Sequence, residues 1–100
     1  MLIVSGTISV APASHDRMVE LLGPLVEATL AEEGNLTYGM WPHPTDSGVF
    51  RVYEEWESAE PMGAHMSSEH MATFMGAMGE LEVTGVEINQ HEVAASSRLM

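Results

Sequence analysis

Between Leu2 and Val10 the chain alternates, with Leu2, Val4, Ile8 and Val10 on one parity and Ser5, Thr7 and Ser9 on the other. A period of two marks a strand with one buried face, and Pro12, which has no N–H for a ladder, ends it. From Met18 the period lengthens. Met18, Leu21, Leu22, Leu25, Val26 and Thr29 recur at the i, i+3, i+4, i+7 spacing of an amphipathic helix. Ser14 is placed to cap its start, Asp16 adds a negative charge to the first turn, and Gly34 is placed to close it near residue 33. Pro24 interrupts the hydrogen bond to the carbonyl of Glu20, which predicts a bend.

Alternation resumes over Asn35 to Trp41, with Leu36, Tyr38 and Met40 on one face. Pro42, Pro44, Thr45, Asp46, Ser47 and Gly48 read as a hairpin connection into a third strand, Val49 to Trp56. Ser58 opens a short helix from Ala59 to about Met66. Ser67 or Ser68 caps another, whose apolar stripe is Met71, Phe74, Met75 and Met78 and which ends at Gly79. Leu81 to Val93 is the last strand, with a bend expected at Gly85, and residues 94–100 form a flexible tail after a single domain over 1–93.

The predicted order is β-α-β-β-α-β, a ferredoxin-like α+β fold with an antiparallel sheet. Strand three carries apolar residues on both faces, Phe50, Val52 and Trp56 on one and Val49 and Tyr53 on the other, and strand two sets Trp41 opposite Leu36, Tyr38 and Met40. Two helices cover one face of such a sheet, so a second copy of the sheet is expected against the other. A homodimer through the sheet face follows.

Composition narrows the function. Three arginines and no lysine stand against fifteen acids, a formal charge of −12 over 100 residues. Nucleic-acid binders and anionic-membrane binders need basic patches, so neither class fits. There is no cysteine, hence no disulfide, thiolate metal site or thiol nucleophile. The N-terminal stretch lacks a basic leader and no apolar run nears the ~20 residues of a membrane span, so a soluble cytoplasmic protein is expected. No phosphate loop, nucleotide fingerprint or Ser-His-Asp pattern is present.

One segment is distinctive: Phe50-Arg51-Val52-Tyr53-Glu54-Glu55-Trp56-Glu57-Ser58, then Ala64-His65-Met66-Ser67-Ser68-Glu69-His70-Met71. It resembles the antibiotic biosynthesis monooxygenase family, in which a strand ending Tyr-Glu-x-Trp-Glu-Ser is followed by a His-bearing helix and a Ser-x-His turn. Pro24–Thr29, Glu32–Tyr38 and Pro42-His43-Pro44 extend the likeness over about residues 1–93. The resemblance implies a dimeric α+β barrel, and oxidation of phenols or quinols by molecular oxygen with no metal, flavin or haem. Related branches degrade haem, isomerise small phosphorylated sugars or have no assigned activity. The polyketide-oxidising members carry an Asn four residues before the Trp and a Tyr six after it; Val52 and Met62 stand there in this chain.

Cofactor-free oxygenation needs a base to make an electron-rich substrate anion, a dry pocket and a donor to the developing oxyanion. An imidazole is the natural base: His70, near a helix start, is the first choice and His65 the second, with the Trp56 indole N–H and Tyr38 positioning the substrate. The resemblance matches His65, His70, Trp56 and Phe74 to family positions. Asn35, Tyr53, Met66 and Phe74 complete the expected substrate contacts. The ordinary roles of these residues are surface histidines and sheet or core aromatics. Met62, Met66, Met71, Met75 and Met78 fit an apolar helix face better than a Cu(I) site, and His65 and His70, five apart across a helix break, do not match i, i+4 metal ligation. No metal or other cofactor is therefore expected. Glu54, Glu55, Glu57 and Glu60 read as a solvated rim, and Arg51 as a partner for one of them. The leading expectation is a cofactor-independent monooxygenase of a quinol-like or polyphenolic aromatic. A non-catalytic small-molecule-binding or stress-related module and a haem-binding or haem-degrading relative are the alternatives.

Overall fold

The alternating segments become strands and the 3.6-period segments become helices in the computed structural model, which describes residues 1–100. The order is β1 (Leu2–Val10), α1 (His15–Leu30), β2 (Asn35–Pro42), β3 (Val49–Trp56), α2 (Ala59–Met66), α3 (Glu69–Met78) and β4 (Val83–Glu92). The sheet runs β2-β3-β1-β4, and every neighbouring pair is antiparallel. This is the ferredoxin-like arrangement the patterning predicts, as an open four-stranded sheet.

Several local expectations change. Ser14 does not cap α1. It closes a 3-10 turn over Pro12–Ser14, and its φ of −90° and ψ of −2° already lie in the helical region, so its side chain makes no cap bond. The helix continues through Pro24 and stops at Leu30, short of residue 33. The turn that follows uses Gly34 at φ +86°, a left-handed conformation that favours glycine. Ser68 does cap α3, its Oγ accepting from the Met71 N–H at 3.3 Å. Leu36 leaves the core face: the β2–β3 register shifts between Asn35 and Thr37, and the extra residue points outward, 48% exposed. The last strand begins at Val83, two residues later than its pattern suggests.

Even-numbered β1 and β3 residues (Leu2, Val4, Ile8 and Val10; Phe50, Val52 and Trp56) meet Met18, Leu22 and Leu25 of α1 and Met71, Phe74 and Met78 of α3 in one core. Each of the larger side chains contributes about 1.5–3 kcal/mol by leaving water. α1 packs against β2 and α3. No comparable helix contact covers β4, whose inward-facing Val86 and Ile88, opposite Ile8 and Gly6, stay 62% and 40% exposed. The gap beside them becomes the candidate site.

The outer sheet face is more polar than its apolar positions alone predict. Thr37 Oγ1 and Tyr53 Oη both donate to Glu55, at 2.9 and 2.6 Å, and exposed Arg51 pairs with no acid. Trp41 lies on this face, half exposed.

Candidate active site

Strand parity sends Glu54 inward with Phe50, Val52 and Trp56. It is 8% exposed and its Oε1 accepts the Trp56 indole N–H at 2.9 Å. Burial pushes the Glu54 carboxyl above its ordinary value, the Trp56 bond draws it back, and Glu32 raises it further. Two expectations are thereby corrected. Glu54 is no solvated rim residue, and the Trp56 N–H is engaged by that carboxylate instead of facing a substrate.

His65, on α2, is 2% exposed. Its ring centre lies 5.0 Å from that of Trp56, 5.4 Å from Tyr38 and 5.7 Å from His70. Nδ1 stands 2.9 Å from Glu32 Oε2, so the imidazole N–H donates to the carboxylate; this selects the tautomer whose lone pair is on Nε2. Burial holds His65 below the usual imidazole range; Glu32 opposes that shift and His70 adds to it. Glu32 belongs to the turn between α1 and β2. Its other oxygen, Oε1, lies 2.9 Å from His70 Nε2 at the start of α3. That nitrogen is sealed from solvent yet off the hydrogen-bond direction, so the contact is close but unaligned. One carboxylate thus joins two histidines whose sequence spacing gave no reason to pair them.

His65 opens on a cavity of about 400 Å³ between the sheet and α2–α3, within the range of small-ligand sites. Most of its wall is apolar, including six methionines: Met40, Met62, Met66, Met71, Met75 and Met78. Tyr38, Glu54, Asn89 and Gln90 supply polar groups from the sheet, and His65 supplies one from α2. Burial, then Glu54 and Glu32, push the Tyr38 phenol well above its ordinary value, so it stays a hydrogen-bond donor at neutral pH. Val52 and Met62 also line this space.

The expected residues therefore divide. His65, Tyr38, Met66 and Phe74 line the cavity. Trp56 stands behind it, against His65. His70 lines a different groove with Arg17, Glu20 and Glu69, and Phe74 is the residue common to both spaces. Asn35 and Tyr53 lie outside. Asn35 Nδ2 is used on the backbone carbonyls of Thr37 and Glu55, holding the β2 irregularity, and Tyr53 is on the outer face. Glu32, His65 and His70 also place one potential ligand atom each within 4.8 Å of one another, a set that could hold a metal ion.

Comparison with known proteins agrees with this architecture. The antibiotic biosynthesis monooxygenase family profile matches residues 1–77. A Deinococcus radiodurans protein named "putative antibiotic biosynthesis monooxygenase" has 26% identity and a TM-score of 0.90, over 100% of this chain and 99% of that one. PA3566 from Pseudomonas aeruginosa has 29% identity and a TM-score of 0.85, over 94% of each chain. The Bacillus subtilis (strain 168) protein named "Putative monooxygenase YcnE" is 23% identical over 94% of this chain and 99% of its own.

Proposed function

This chain belongs to the antibiotic biosynthesis monooxygenase family, and on that premise we propose that it is a cofactor-independent monooxygenase of a quinol-like or polyphenolic aromatic, with His65 as the base. The observation that carries this reading is a buried imidazole, clamped at Nδ1 by Glu32, beside a neutral Tyr38 phenol on an apolar cavity. Nε2 takes a phenolic proton, the apolar wall excludes water from the resulting anion, and Tyr38 donates to the oxygen on which charge develops. The balanced reaction is quinol plus O2 to hydroxyquinone plus water: one oxygen atom enters the ring and the other leaves as water. All four electrons come from the substrate.

Oxygen uptake with a 1,4-naphthohydroquinol tests this. Chelator-treated protein is expected to consume one O2 per quinol, to give a product carrying one 18O from 18O2, and to lose roughly 10²–10⁴-fold in rate in His65→Gln. Uptake no faster than in buffer alone overturns it. The apolar Val52 and Met62 on the cavity wall favour a second reading, binding of an aromatic without turnover; saturable binding of the corresponding naphthoquinone with no oxygen uptake would select it. The active unit is proposed to be a homodimer through the outer sheet face, where Trp41 is exposed.

A further inference from the structure

We propose that Glu32 and His70 form a proton path that joins His65 in the apolar cavity to the solvent-facing groove on the other side of Phe74. The inference rests on the assignment of His65 as the base. A base at the bottom of an apolar cavity loses its access to water once a planar ligand fills the space above it. Its second nitrogen is then the remaining route for a proton.

The geometry supplies that route. His65 Nδ1 and Glu32 Oε2 are 2.9 Å apart, and Glu32 Oε1 and His70 Nε2 are 2.9 Å apart. His65 lines the cavity, while His70, 24% exposed at its side chain, lines the groove. Phe74 is the one residue that lines both spaces. The path also gives a role to the buried His70 Nε2, which has no aligned partner in the resting arrangement: a small ring rotation brings it onto Glu32 Oε1. The proton count is closed. His65 Nε2 gains the substrate proton as Nδ1 passes its own to Glu32 Oε2; rotation of the now neutral carboxyl group turns that proton toward His70, whose Nε2 takes it while Nδ1 releases one to water. The reverse passage, as His65 Nε2 gives its proton to the reduced oxygen that leaves as water, restores the starting tautomer.

The charged and titratable surroundings fit directed transfer. Glu54 of β3 and Tyr38 of β2 lie on the cavity side, and Glu32 is the acid between the histidines. On the groove side stand Arg17 and Glu20 of α1 and Glu69 of α3, polar groups that keep water at the exit.

Two measurements separate this path from the proposed activity. In the resting protein, 15N-imidazole NMR is expected to show the His65 Nδ1 and Nε2 signals displaced by His70→Gln, with the fold intact by circular dichroism. In turnover of the naphthohydroquinol, His70→Ala is expected to lower kcat by roughly 10²-fold, the lower end for a positioned acid–base group, with saturable recovery by added imidazole. Glu32→Gln falls equally and is not recovered. His65 signals indifferent to His70→Gln overturn the path whether or not the quinol is oxidised. Full kcat in His70→Ala, independent of imidazole, overturns it while leaving the activity standing. Stoichiometric zinc or iron in the purified protein also overturns it, because the same three atoms would then be ligands.

Discussion

Replacing Trp56 with Phe tests the claim that a buried N–H···carboxylate bond holds the cavity floor. Trp56 is fully buried and its indole N–H is donated to Glu54 Oε1 at 2.9 Å. Phenylalanine keeps an aromatic body but removes the donor and part of the ring. A hydrogen bond to a charged group contributes about 1.5–3 kcal/mol, and the small void adds about 1 kcal/mol. A loss of about 3 kcal/mol follows, large against the ~5–15 kcal/mol that holds a domain together. With a urea m-value of about 1–3 kcal/mol/M, the midpoint falls by about 1–3 M. The pH dependence is the sharper readout. The bond to Trp56 lowers the Glu54 carboxyl, so its removal raises that group further above 4.5. As pH falls through this raised value Glu54 becomes neutral in both proteins, and the deficit of Trp56→Phe shrinks toward its packing part, about 1 kcal/mol. Adding Glu54→Met to Trp56→Phe removes the unpaired charge and is expected to restore roughly 2 kcal/mol at pH 8. A deficit that does not shrink as pH is lowered from 8 through the carboxylate range, or a double variant whose cost is the sum of the singles, refutes the reasoning.

Other outcomes follow from single features. The folded-state value of His65 lies below 6.5, so as pH drops from about 6.5 the unfolded chain takes up the proton first and stability declines; His65→Gln is expected to flatten this limb in urea titrations. Glu54 acts oppositely, losing stability as pH rises above 4.5, and Glu54→Gln is expected to remove that contribution. A Cβ at Gly6 would lie 1.9 Å from the Glu87 carbonyl oxygen, against neighbouring backbone. Gly6→Ala should therefore cost about 1–3 kcal/mol, seen as a lower thermal midpoint and a displaced β4. Light scattering at micromolar concentration should give twice the 10.8 kDa chain mass, and Trp41→Glu should shift it toward the single chain; a monomer in the unaltered protein rules out the sheet-face dimer.

The elements were legible because each has one period and clear punctuation. What escaped was set by contacts between distant segments. Leu36 fits the alternation of β2 perfectly well on paper, and only the slip against β3 turns it outward. Glu54 was concealed by its acidic neighbours, although its parity with Phe50, Val52 and Trp56 was a usable signal for burial. Glu32 gave less warning still, one of two adjacent glutamates near a helix end. Its importance arises because the turn closed by Gly34 carries it to α2, while the break at Ser67–Ser68 redirects α3 so that His70 comes round to its second oxygen. Spacing along one helix could not reveal a meeting of three segments.

Six methionines around one cavity have a consequence for selectivity. Unbranched thioether side chains rearrange at little cost, so such a wall takes its contour from the guest and rejects few shapes. Discrimination then passes to the unyielding part of the chamber, the imidazole clamped by Glu32 and the phenol on β2. Rings of varied outline should be admitted, and a guest without a hydroxyl to offer those two groups should leave as easily as it came.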